Sequence, residues 1–248
     1  MKLKLLFILL FSSYSMAGSI QIAVAANVSY AMEDLKKAFN ITHPNTKVQV
    51  ILGSSGKLTA QIKHGAPYQL FMSANMKYPE ALYKDKVAVT KPLVYAQGTL
   101  AYLSNKPQDF SKGMTVIKDE KIKKIAVANP KTAPYGKAAV EAMKNASVYE
   151  DVQKKFVFAE SASQTVSYTV TAADLGFIAK SSLYSPKMKK YKENINWKEV
   201  DPKLYTPIKQ GIVILKNGES NSEVRAFYDF MLSSEAKKIL TEFGYLLP

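Results

Sequence analysis

The 248-residue sequence contains no cysteine. That excludes a disulfide framework and a thiolate metal site, and it leaves the chain no thiol for a lipid anchor behind a leader peptide. Histidine is almost as scarce, with two in the whole chain. His43 precedes Pro44 and His64 precedes Gly65, so both are expected in exposed loops, and neither belongs to a metal or nucleophile motif. Long hydrophobic runs are missing too. No segment approaches the roughly 20 consecutive apolar residues that a membrane span needs. Acidic residues are in the minority, 20 against 34 lysines and arginines, for a formal net charge of +14. The lysines are scattered, with only short clusters at 121–124 and 187–192, which describes solvated surface charge and no nucleic-acid partner. Their field attracts anions weakly, screened over about 8 Å at physiological salt. There is no internal repeat and no low-complexity segment.

Lys2 and Lys4 precede the apolar run from Leu5 to Phe11, and Ser15-Met16-Ala17 supplies small residues where a signal peptidase reads. Residues 1–17 are therefore expected to be a signal peptide cut after Ala17. Removing Lys2 and Lys4 takes the net charge from +14 to +12. The mature chain is expected to be a soluble periplasmic protein.

The stretch from Gly53 to Ile62 organises the rest. Val48, Val50 and Leu52 alternate as a half-buried strand does, and Leu58 and Ile62 lie four apart on one helical face. Gly53-Ser54-Ser55-Gly56 is then a strand-to-helix turn, where the first helical N–H groups lack intrahelical partners and Ser54 or Ser55 can cap the helix or bind a guest anion. Capping alone explains any single junction of this kind, but the pattern recurs. Ile20, Ile22 and Val24 lead through Asn27 to a helix carrying Ala31, Leu35, Ala38 and Phe39. The strand 125–128 leads through Pro134-Tyr135 to a helix carrying Ala139, Val140 and Met143. Phe156-Val157-Phe158 leads through Ser161-Ala162 to a helix carrying Val166 and Val170.

Strands are also expected at 70–74, 175–179 and 212–215, an exposed irregular stretch at 187–196, and one mostly helical segment from Val224 to Phe243. Alternating strands and helices predict an α/β fold with parallel pairing. The segments 92–104 and 202–207 read as crossings between two lobes, giving 18–97 with 206–248 as lobe I and 98–205 as lobe II. A cleft between lobes is a favoured ligand site.

Gathered there, Asn27, Ser55, Tyr135 and Ala162 with their backbone N–H groups would be neutral hydrogen-bond donors. A fully ionised oxyanion has acceptors and no proton to give, so it suits such a site; a protonated phosphate would reward one acceptor. No aspartate lies in the four turns, and Glu160 is the one acid close by. Two other readings stand beside this one. The glycine-rich loop resembles a phosphate loop but lacks the GxxxxGK[ST] spacing, and a serine–lysine hydrolase using Ser55 is the enzyme alternative.

These residues carry a resemblance to the periplasmic molybdate-binding proteins of ABC uptake systems. The matching stretches are Ala25-Ala26-Asn27, Gly53-Ser54-Ser55-Gly56-Lys57-Leu58, residues 61–67, Leu70-Phe71-Met72-Ser73-Ala74, residues 129–136, Leu175-Gly176-Phe177-Ile178-Ala179 and the terminal Gly244-Tyr245-Leu246-Leu247-Pro248. The resemblance implies a two-lobed type II periplasmic binding protein fold with a mixed, mainly parallel sheet in each lobe. It implies a monomeric receptor without enzymatic activity or cofactor, whose ligand is molybdate or tungstate held by hydrogen bonds with no direct protein–metal bond. The implied partner is the membrane permease of an ABC importer, and a receptor for sulfate or phosphate is the nearest alternative. Carried over by position, the binding residues are Asn27 with the Ala26 backbone, Ser55, Tyr135 and the Ala162 N–H. The chain departs from the branch of the family that has serine at Asn27 and a ligand tyrosine at Ala179. Gln69 replaces an acid common before Leu-Phe.

Overall fold

A computed structural model describes residues 18–247. The expected signal peptide, residues 1–17, lies outside the described residues. Strand β1 (Ser19–Ala25) is an inner strand of a first sheet. Its Ile20, Ile22, Ala23 and Val24 are all fully buried, because helices cover both faces and leave no side for water. A 3₁₀ turn (Ala26–Val28) leads to α1 (Met32–Thr42), which buries Leu35 and Phe39. Strand β2 (Lys47–Gly53) pairs with β1 in parallel at the sheet edge, and α2 (Ser55–Lys63) follows with Leu58 and Ile62 inward. Strand β3 (Leu70–Ser73) lies on the other side of β1, and α3 (Lys77–Lys84) buries Pro79 and Leu82.

Strand β4 (Leu93–Gly98) closes this sheet, and one residue later β5 (Leu100–Leu103) begins a second. The chain then forms a 3₁₀ segment (Phe110–Lys118), β6 (Ile125–Ala128), α4 (Pro134–Asn145) and the short α5 (Tyr149–Val152). It continues through β7 (Phe156–Ala159), α6 (Ala162–Thr171), β8 (Leu175–Ala179) and β9 (Trp197–Glu199). Strand β10 (Ile208–Ile214) returns to the first sheet, and α7 (Ser222–Leu232) and α8 (Ser234–Glu242) pack on it.

The two sheets share one plan. Their strand orders are β2-β1-β3-β10-β4 and β7-β6-β8-β5-β9. In each, three strands run parallel and the fourth, β10 or β5, is antiparallel to both neighbours. Each reversed strand is the one entered immediately after a crossing. The carboxyl ends of the parallel strands β1 and β2 therefore face those of β6 and β7, which is where an α/β sheet exposes its loops to ligands.

Several expectations need correction. Leu52 is 48% exposed, because β2 is an edge strand and the buried alternation does not extend to its last residues. The helix expected from Val224 to Phe243 is two helices; Ser233 is extended between them and its hydroxyl accepts from the Ala236 N–H, capping α8. The final strand begins at Ile208, since Gln210 and Gly211 are buried within it. The lysine-rich stretch 187–196 is not wholly exposed, as Met188 and Tyr191 pack with Leu183 and Ile178. His43 stacks on Phe39 with ring centroids 4.4 Å apart. Gln69 gains a role: its Oε1 accepts from the Gln21 N–H at 2.9 Å, tying β1 to the start of β3.

Phe227 from α7 meets Phe39 edge-on at 5.1 Å, fully buried between β-sheet and α1. Phe227→Ala is expected to lower the free energy of unfolding by about 3–5 kcal/mol, the usual cost of emptying an aromatic site, read as a lower urea midpoint with an unchanged slope.

Candidate functional site

All five residues singled out above, Ala26, Asn27, Ser55, Tyr135 and Ala162, line one narrow cleft between the sheets. They are deeply placed, from fully buried Ser55 to Ala162 at 8% exposure. The cleft's other lining residues are Ala25, Gly53, Ser54, Ala74, Ala133 and Pro134, so among the described residues no charged side chain of either sign lines it.

Three helices begin at this cleft, and each leaves its first N–H groups without intrahelical partners. At α2 neither serine caps by its side chain. Ser54 stands at the N-cap position with a buried hydroxyl that has no partner among the described residues. The Ser55 Oγ accepts from the Ala74 N–H at 2.9 Å, which fixes the oxygen and leaves the hydroxyl proton free to donate. At α4, Pro134 has no N–H, so Tyr135 carries the first one. At α6 the cap is made by Ser161, which accepts from the Gln164 N–H, and Gln164 in turn accepts from the Glu160 N–H. That exchange fixes the turn and leaves the Ala162 N–H, the first of its helix, unclaimed by it. Asn27 differs, since it sits in the 3₁₀ turn before α1 and not at the start of that helix.

The lobes touch around the cleft. The Gly56 N–H donates to Thr132 O at 2.9 Å, Lys57 pairs with Glu160, and the Ser181 hydroxyl donates to Asn27 O at 3.0 Å. Glu160 thus spends its carboxylate on Lys57, and Lys57, the base closest in sequence to Ser55, is held by that acid.

Three residues beneath the cleft had no place in the sequence reading of the site: Gln210, Tyr245 and Ser181. Gln210 is fully buried on β10. Asn27 Nδ2 donates to Gln210 Oε1 at 3.0 Å and to the Tyr245 hydroxyl at 2.9 Å, and Gln210 Nε2 donates to the Tyr135 hydroxyl at 3.4 Å. Gly98 permits this approach, because a Cβ there would lie 2.0 Å from the Tyr135 hydroxyl. A polar residue inside the apolar run 208–214 was the available sign of Gln210. Burial holds the phenols of Tyr95, Tyr135 and Tyr245 above their ordinary range, with mutual repulsion adding to the effect at Tyr95 and Tyr135. They remain neutral donors at physiological pH.

The chain matches the bacterial extracellular solute-binding protein family over residues 20–246. It is 35% identical over 231 residues to the molybdate-binding protein ModA of Azotobacter vinelandii, covering 92% of this chain and 90% of that one. It is 34% identical to the molybdate-binding protein ModA of Rhodobacter capsulatus, covering 93% of this chain and 89% of that one. The solved structure of the Azotobacter vinelandii periplasmic molybdate-binding protein superimposes with a TM-score of 0.84 at 31% identity, over 92% of this chain and 99% of that one. With two like-built lobes, an uncharged cleft between them and these relatives along its whole described length, the chain belongs to the bacterial extracellular solute-binding protein family.

Proposed function

We propose that this protein is a periplasmic receptor that captures molybdate, and tungstate with it, and delivers the anion to the membrane permease of an ABC importer. The observation that carries the reading is the cleft lined by helix starts and hydroxyls with no charged side chain. Such a lining suits a fully ionised tetrahedral oxyanion. The helix N-termini add partial positive charge, and each hydrogen bond to an ionised group contributes roughly 1.5–3 kcal/mol. Several together offset desolvation of the anion without an ion pair. In this reading Ser55 binds by hydroxyl and N–H, Asn27 with the Ala26 backbone from the first turn, and Tyr135 and Ala162 by the N–H groups at their helix starts. The lobes, 18–97 with 206–248 and 98–205, close about the two crossings. Closure removes water and strengthens every donor, and the closed form is what the permease recognises. The relatives support molybdate as the ligand, and the lack of a charged group in the cleft supports binding without chemistry. The receptor acts as a monomer and needs no cofactor.

Calorimetric titration of residues 18–248, freed of co-purified anion, with molybdate, tungstate, sulfate and phosphate tests the reading. One-to-one binding of the first two, with the others weaker by more than about tenfold, is the expected result. Preferential binding of sulfate or phosphate would reassign the ligand, and binding of none would remove the site. Ser55→Ala is expected to weaken molybdate binding by about one order of magnitude or more with little change in thermal midpoint. Gly56→Ala would place a Cβ 2.7 Å from the Tyr78 hydroxyl, the far end of a side chain that can shift, and 2.9 Å from both Thr132 Cα and Thr132 O, backbone of the facing lobe that cannot. Alanine favours the helix itself, so this variant should fold normally yet lose at least about tenfold in molybdate affinity by wedging the lobes apart.

A further inference from the structure

The hydrogen bonds beneath the cleft leave one atom out. Asn27 is 1% exposed and both hydrogens of its amide are spent, on Gln210 Oε1 and on Tyr245, while its Oδ1 has no partner among the described residues. A buried acceptor left unpaired costs about 1–3 kcal/mol. At the same time the Tyr135 oxygen accepts a hydrogen bond from Gln210 Nε2, and its own hydroxyl proton has no acceptor among the described residues.

An amide has a donor end and an acceptor end, and Gln210 touches Asn27 with one and Tyr135 with the other. Turning the Gln210 amide over together with that of Asn27 reverses both bonds. Gln210 Nε2 then donates to Asn27 Oδ1 and, with its second hydrogen, to the Tyr95 oxygen, whose hydroxyl gives up its 3.4 Å bond to Oε1. The Tyr245 hydroxyl moves its one proton from Asn27 O, 2.9 Å away, to Oδ1, and the Tyr135 hydroxyl donates to Gln210 Oε1. Asn27 O keeps its bond from Ser181, at 3.0 Å in the observed arrangement. The only unpaired end of Asn27 is then Nδ2, a donor. One setting thus offers the cleft an acceptor from Asn27 and the other offers a donor. A fully ionised oxyanion, with no proton to give, is repelled by the first and bound by the second; an anion that keeps a proton is accommodated by the first.

We propose that Gln210 is a positioning residue that sets which end of the Asn27 amide meets the anion, and that a fully ionised oxyanion selects the setting with Gln210 Nε2 on Asn27 and Asn27 Nδ2 in the cleft. The inference rests on the receptor reading above. It makes the site's discrimination between ionised and protonated oxyanions a property of a residue that does not touch the ligand.

Gln210→Glu tests it. A carboxylate has no proton to donate, so it accepts from Asn27 Nδ2 and holds Oδ1 toward the cleft. Molybdate affinity should fall more than about a hundredfold near neutral pH. It should recover as pH is lowered from about 8 to about 5.5, because burial raises the carboxyl's pKa and the protonated acid regains a donor. The titratable groups facing residue 210 are Tyr95, Tyr135 and Tyr245. All are neutral across that window, so the wild-type protein should show no matching pH dependence. Gln210→Met, which can neither donate nor accept in the same way, should reduce the preference for molybdate over phosphate by about tenfold. If Gln210→Glu does not fold, the side-chain amide resonances of Asn27 and Gln210 in labelled wild-type protein decide the matter, and both should shift when molybdate is added. Variants that bind molybdate as the wild type does, without pH dependence, or amide resonances that stay in place while molybdate binds, would overturn the role of Gln210. Failure of the wild-type protein to bind molybdate would instead overturn the receptor reading.

Discussion

A dianion taken out of water must have its lost hydration replaced by donors already in place, and under the proposed receptor function this requirement accounts for the way the cleft is assembled. Backbone N–H groups at helix starts are suitable because the helix geometry itself leaves them unpaired. They cannot relax away, and they bring no counter-charge that would hold the anion permanently. Ser55 shows how the surroundings support such a donor. Its oxygen is fixed by the Ala74 N–H at the end of β3, so the hydroxyl proton is left to point elsewhere.

The repeated sheet plan gives the cleft its two walls. In each sheet the edge strand and the inner strand beside it deliver a turn to the same end, β2 and β1 on one side and β7 and β6 on the other. The chain crosses at Thr99, between β4 and β5, and returns ahead of β10. These crossings carry buried groups and are not loose linkers. The Tyr205 hydroxyl oxygen accepts from the Leu100 N–H at 3.1 Å, joining the two crossings. Gly98 lets Tyr135 and Gln210 meet at the same place. The path between lobes and the support of the site are therefore one region of the molecule.

The two lobes were legible in the sequence wherever period and punctuation agreed. β1, α2, α4 and β8 stand where alternation, four-residue spacing and the Pro134 signal put them. The reading failed where local pattern was ambiguous. Lys77–Lys84 is only eight residues long with Pro79 inside it, so no helix is expected there from local pattern, yet Leu82 is fully buried. Val224 to Phe243 has one continuous helical period, and only the extended backbone at Ser233 divides it. Lys187–Asn196 looked exposed by composition, although Tyr191 reaches a small core beside β5 and β8.

By itself the sequence determined the α/β alternation and the four turns bearing Asn27, Ser55, Tyr135 and Ala162, because helix and strand periods and turn residues are local properties of the chain. Only the tertiary structure decided that these turns share one uncharged cleft, that Ser54 does not cap α2, and that Gln210 and Tyr245 hold Asn27 from below. Those facts depend on partners separated by up to 218 positions, and no local pattern specifies which distant donor meets which acceptor.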